Sequence, residues 1–258
     1  MINISKLVFL LFVGFVFMAC QNSKTLSQSR LDFSNMDCST TLSSVFTKSK
    51  SAVLNHNDFT KKHYRTKMGE FSKAPLKCSE IVMLGDSLTE QNNWMISLEA
   101  KVPVRNRGIS GDTSDGVLQR LEEIVVSQPA ALFILIGTND LWTDNTAEKT
   151  VSNIKEIIDT VHVNSPDTLL FVQTVFPLRT DTHLNQKVKK INRLIVALAS
   201  TKDIHLIDTH FLLSDLNGEL NENYTTDGVH LNNKGYEAWV GTLRKILYEY
   251  GFVVGEVS

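Results

Sequence analysis

The sequence predicts an α/β protein, a three-layer α/β/α sandwich around a five-stranded parallel sheet. Three observations carry this. Short apolar runs of strand length recur after Glu80, at Ile81–Leu84, Val102–Val104, Leu132–Ile136, Leu169–Gln173 and Ile204–Ile207. Stretches with helical spacing alternate with them. The runs are apolar at nearly every position, so both faces of the sheet must be covered, which is the situation of a parallel sheet with helices on each side.

Taken in chain order, Leu7–Met18 is an apolar run preceded by Lys6 and ending at Ala19-Cys20. It is shorter than the roughly 17–25 apolar residues that span a bilayer and suits a signal-peptide core. Residues 1–19 are therefore expected to be a leader, with an uncleaved anchor as the alternative. Gln21–Ser51 is rich in Ser, Thr and Asn and reads as a tether. Phe59–Ser72 places Tyr64, Met68 and Phe71 at helical spacing among Lys and Arg. This predicts a short amphipathic helix whose expected role is packing on the domain that follows, a partner-binding helix being the alternative. Residues 20–79 thus form a tether and helical extension, and residues 80–258 the main domain. Beyond the first strand, helices are expected around Val117/Leu118/Leu121/Ile124/Val125 and Val151/Ile154/Ile157/Ile158/Val161. Two more are expected around Leu184/Val188/Ile191/Leu194/Ile195/Leu198 and Tyr236/Trp239/Val240/Leu243/Ile246/Leu247.

Composition narrows the function classes. Lys+Arg 26 against Asp+Glu 28 gives a net charge of −2, with 21% charged and 42% apolar residues. Disordered, polybasic and polyacidic chains are excluded, and without a basic excess to neutralise phosphates no nucleic-acid partner is expected. Of the 3 cysteines, none forms a C-x-x-C pair, so a redox-active or zinc-ribbon motif is unsupported. The spacing of the 7 histidines suggests no metal-ligand set, and no metal or cofactor is expected.

In parallel sheets, sites form in the loops beyond the carboxyl ends of the strands, and the residues with chemical potential follow strands here. They are Gly85-Asp86-Ser87-Leu88, Asn106 through Thr113, Gly137-Thr138-Asn139-Asp140, and Asp227-Gly228-Val229-His230 before the last helix. Singly, each has a structural reading: a serine helix cap, turn glycines, an Asx-turn, a solvated histidine. Together they supply a hydroxyl, a base, a carboxylate to fix that base's tautomer, and donors for an oxyanion. Asp208 and His210 form a second Asp/His pair at the end of the fifth strand and remain an alternative dyad. G-x-S-x-G, H-E-x-x-H, P-loop and G-x-G-x-x-G motifs do not occur.

The four segments, over about Glu80–Tyr250, resemble the SGNH hydrolase (GDSL esterase/lipase) family, whose fold is flavodoxin-like. The resemblance implies Ser87 as nucleophile, His230 as general base and then acid, and Asp227 as the orienting carboxylate. It implies an oxyanion hole from the N–H groups of Ser87 and Gly111 with the Asn139 amide, Gly108 being the rival glycine. Ala19-Cys20 followed by Gln21-Asn22-Ser23 resembles the cleavage box of bacterial lipoproteins. That implies Cys20 as the acylated first mature residue, and a membrane anchor facing the periplasm or cell surface. In such an oxidising compartment Cys38 and Cys78 are expected to bridge, two unpaired thiols being the alternative.

The expected activity is metal-independent ester hydrolysis through an acyl-enzyme, with acyl transfer to a sugar hydroxyl as a sister reaction. A non-catalytic glycan-binding lipoprotein is the rival class, disfavoured by the intact motif set. The loops Ile109–Gly116, Leu141–Ala147, Phe176–His183 and Thr209–Thr226 are mostly polar. Trp142 stands among Asp144 and Asn145, and Phe211, Leu212 and Leu213 are expected to bury beneath their loop. This favours short acyl groups, acetyl foremost, on a carbohydrate or other polar alcohol, over a lipid or lysophospholipid substrate.

Overall fold

The computed structural model describes residues 56–179 and 182–253. The expected leader, the expected acylation site Cys20, and Cys38 lie outside the described residues. Cys78 is disulfide-bonded.

A helix precedes the sheet. α1 (Asp58–Lys73) is capped by Asn57, whose side chain accepts from the Thr60 amide, and carries Asp58 in its first turn and Lys73 in its last, as the helix dipole favours. The sheet has β1 (Ile81–Gly85), β2 (Val104–Gly108), β3 (Ala131–Leu135), β4 (Leu169–Gln173) and β5 (His205–Ile207). All pairings are parallel, in the order β2-β1-β3-β4-β5. This is the doubly wound order in which the chain reverses its direction of travel between β1 and β3, opening a crevice beyond their carboxyl ends.

Strict alternation along the strands builds two cores. Val82, Leu84, Leu132, Ile134, Leu170 and Val172 face one side, against α5 (Leu121–Ser127), α6 (Ala147–Asn164) and α7 (Thr182–Ala199). Ile81, Met83, Phe133, Leu135, Phe171 and Ile207 face the other, against α3 (Trp94–Leu98) and α9 (Asn233–Glu249). Trp94 and Trp239, both 1% exposed or less, meet edge to face at 4.8 Å. Burial on both faces is why the strands read as continuous apolar runs.

Three expectations need correction. The second strand is Val104–Gly108 rather than Val102–Val104, so Asn106-Arg107-Gly108 belongs to the strand and not to the loop after it. It is an edge strand whose polar side chains are all engaged: Arg105 with Glu80, Arg107 with Glu123, and Asn106 with the carbonyls of Thr89, Glu90 and Asn92. The single helix expected around 117–125 is two, α4 (Ser114–Leu118) and α5, interrupted at Arg120. Arg120 leaves the helical region (φ −122°, ψ 17°) and its guanidinium turns inward. There it donates to Asp112 Oδ2 (2.9 Å), Arg107 O (2.7 Å) and Gly85 O (2.9 Å). Satisfying buried strand-end carbonyls outweighs the few helical hydrogen bonds lost. Finally, the segment after β5 forms α8 (Thr209–Leu213). Of its apolar residues only Leu213 is fully buried, while Phe211 is 80% exposed.

Candidate active site

β1 ends in Gly85, and Asp86 turns the chain into α2 (Ser87–Glu90), accepting at Oδ1 from the Leu88 amide at 3.0 Å. Ser87 is thereby the first residue of a short helix at the mouth of the crevice. His230 Nε2 lies 3.1 Å from Ser87 Oγ, and Nδ1 lies 2.7 Å from Asp227 Oδ2. Asp227 Oδ1 accepts the amides of Val229 (2.9 Å) and His230 (2.7 Å), so one carboxylate closes the loop and orients the ring it carries. Burial works against the Asp227 charge, but the hydrogen bonds from His230 and these amides prevail and hold its carboxyl down at about 2. An ionised Asp227 accepts from Nδ1–H and leaves the Nε2 lone pair facing the serine. The geometry can pass a proton from Ser87 to His230 while the carboxylate stabilises the resulting cation. The alternative dyad does not form: Asp208 caps α8 and accepts from Thr174, and His210 Nδ1 turns to Ser214.

The two candidate oxyanion glycines separate clearly. The Gly108 amide is spent on Asn106 Oδ1 at 2.8 Å, and a Cβ at Gly108 would overlap the Glu90 backbone, so this glycine lets β2 approach α2. Gly111 has φ +80° and is the third residue of the Ile109–Asp112 turn, closed by Asp112 N–H to Ile109 O at 3.0 Å. A type II turn demands a positive φ there. Asn139 Nδ2 donates one hydrogen to Asp112 O at 2.9 Å, which ties the β3 loop to this turn and leaves the second amide hydrogen to donate elsewhere. Removing one such donor elsewhere costs about 10²–10³ in kcat. Asn139→Ala is expected to show that loss with KM little changed, and a change in KM alone would make Asn139 a substrate-positioning group.

Residues 83–238 match the profile of the GDSL-like Lipase/Acylhydrolase family. The chain belongs to that family. This acylhydrolase is 28% identical over 195 residues to the human platelet-activating factor acetylhydrolase IB subunit alpha2, covering 70% of this chain and 83% of the relative. A GDSL-like lipase from Bacteroides thetaiotaomicron superposes with a TM-score of 0.61 at 23% identity, over 74% of this chain and 99% of that one. An acetylxylan esterase from Geobacillus stearothermophilus does so with a TM-score of 0.57 at 17% identity, over 70% and 99%. The protein is a carboxylic ester hydrolase of the GDSL type.

Behind the acylhydrolase's serine lies a set of carboxylates to which sequence reasoning assigned no role, although all three stand inside its motifs. Asp140 is fully buried and accepts from Ser114 N–H and Oγ–H and from Asn145, joining the β3 loop to α4. Asp112 accepts from Arg120. Asp86 is also fully buried, with no partner for Oδ2 among the described residues. Burial pushes its carboxyl up to about 7, opposed by the Leu88 hydrogen bond and assisted by Asp112 and Asp140. Folded Asp86 therefore holds its proton more tightly than the unfolded chain does. Its contribution favours folding in acid and is lost as pH rises from about 4, the unfolded carboxylate value, toward 7. Asn keeps the cap and cannot ionise. The melting temperature of Asp86→Asn relative to the parent should climb from pH 4 to pH 7 and then level off; a pH-independent difference would refute this.

Proposed function

We propose that the protein is a serine esterase that removes short acyl groups, acetyl foremost, from a polar alcohol such as a carbohydrate. The observation that carries it is the unbroken line from Ser87 Oγ through His230 to Asp227, at 3.1 and 2.7 Å. Ser87 attacks the ester carbonyl while His230 Nε2 takes its proton and passes it to the departing alcohol. Water then attacks the acyl-enzyme, giving a proton to His230, and the acid leaves as Ser87 regains its hydrogen. The Ser87 and Gly111 amides with Asn139 would hold the oxyanion in both steps.

The acetyl preference is supported by curated relatives named as acetylhydrolases. The polar-alcohol preference is supported by Trp142, 53% exposed, on a loop otherwise furnished with Asp144, Asn145 and Thr146. A second reading, an apolar or lipid substrate, draws support from Phe211 and Leu216, 80% and 106% exposed in the connection that follows β5. A p-nitrophenyl ester series decides between them. Turnover should fall steeply from acetyl and butyryl to octanoyl; a maximum at octanoyl or longer would overturn the short-acyl reading and favour the lipid one.

A further inference from the structure

α1 lies outside the matched family region, yet its contacts run to the loops that carry the candidate oxyanion donors. Thr60, His63, Tyr64 and Lys67 follow helical spacing and form one stripe, with His56 just before the helix cap. Their partners beyond α1 belong to α2, to the segment between β2 and α4, or to α4 itself. His63 Nε2 lies 2.9 and 3.1 Å from the two oxygens of Glu90, and Lys67 Nζ lies 3.5 Å from that carboxylate. Tyr64 donates from its hydroxyl to Gly116 O at 3.2 Å, and His56 Nε2 is 3.2 Å from Asp112 Oδ1. Thr60 backs Gly111 so closely that a Cβ there would stand 2.8 Å from its Oγ1.

Glu90 is where these contacts converge on the chemistry. It ends the four-residue helix that begins with Ser87, and Oε2 accepts both the Ser110 amide (2.5 Å) and the Ser110 hydroxyl (2.6 Å). One carboxylate thus joins the serine's helix to the turn that presents the Gly111 amide. Burial resists its ionisation, but the hydrogen bonds from Ser110 and His63 prevail and hold its carboxyl below the ordinary range. A helix present only to cover apolar surface would offer an apolar stripe. The apolar part of this contact is small, being Tyr64, Phe71 and Ile109 with Met68 beside them.

We propose that α1 braces the oxyanion turn, with His63 and Glu90 as positioning residues that set the spacing between the Ser87 and Gly111 amides. The inference rests on the esterase reading above. A displacement of the order of 1 Å at such donors costs up to about 10²-fold in rate.

The test uses the full chain with p-nitrophenyl acetate, measuring kcat, KM and melting temperature for His63→Ala and His63→Gln. His63→Ala should lose about 10-fold or more in kcat, with KM within about twofold of the parent. His63→Gln retains an N–H donor toward Glu90 and should recover most of the loss. The rate of Ser87 labelling by a fluorophosphonate should fall and recover in parallel, because the phosphonyl oxygen uses the same donors. Parent-like kcat in His63→Ala would overturn the brace, as would an effect confined to KM. So would a loss matched by a lower melting temperature and not restored by Gln. The underlying reading fails differently: activity retained in Ser87→Ala removes it, and the brace with it, whatever the His63 variants do.

Discussion

Ser87→Ala is expected to lower kcat for p-nitrophenyl acetate by about 10⁴- to 10⁶-fold while leaving the melting temperature close to that of the parent. Stability should survive because Asp86, and not Ser87, caps α2, and because the Ser87 side chain engages only His230 among the described residues. His230→Ala should be of similar severity, since without a base the hydroxyl is a poor nucleophile. The two residues act on one proton, so the double variant should lose little beyond either single one. The residual rate would come from substrate binding and the remaining oxyanion donors. Substantial hydrolysis by Ser87→Ala, with labelling still occurring at another site, would sink the assignment of the nucleophile.

Asp227→Asn should cost about 10⁴-fold in kcat with the loop intact. An Asn in that place can still accept the Val229 and His230 amides through its carbonyl oxygen. Its NH2 then faces His230 Nδ1 in place of Oδ2 and favours the tautomer with hydrogen on Nε2, which cannot take the serine proton. The side chain is about half exposed, so the effect is one of tautomer and orientation more than of buried charge. Asp208→Asn is the internal comparison. Asp208 serves as a helix cap and a partner to Thr174, and its loss should leave kcat within a few-fold of the parent. A harmless Asp227→Asn beside a damaging Asp208→Asn would reverse the choice of carboxylate.

The candidate site was legible because its members sit in short motifs at strand ends, where neighbouring residues must supply particular chemistry. Asp227-x-x-His230 places acid and base on one loop, and the Nδ1 contact is local. The contact from His230 to Ser87 spans 143 residues, yet topology foretold it, since both segments leave the carboxyl edge of one sheet. The residues that support the site were harder to find. Arg120 stands inside a helical apolar period, and nothing near it in sequence shows that its partners are Gly85 O and Arg107 O. Its one sequence signal is a charged residue in the middle of an otherwise amphipathic stretch. The exposure of Phe211 has a related cause: three consecutive apolar residues on a one-turn helix cannot all face the core.

The sequence by itself determined the layered α/β class, the four remaining helices, the strand runs other than the second, and the segments that would meet at the site. These follow from periodicity and turn chemistry, which depend on residues a few positions apart. Tertiary structure alone decided the strand order with its crevice between β1 and β3, the extent of the polar edge strand, and the break at Arg120. It also decided that the Gly108 amide is spent on Asn106 while Gly111 takes the positive φ of the Ile109–Asp112 turn, and that α1 lies against that turn. Each of these depends on which buried polar groups find partners across distant parts of the chain, and an unpaired buried donor or carbonyl costs enough to override a local preference.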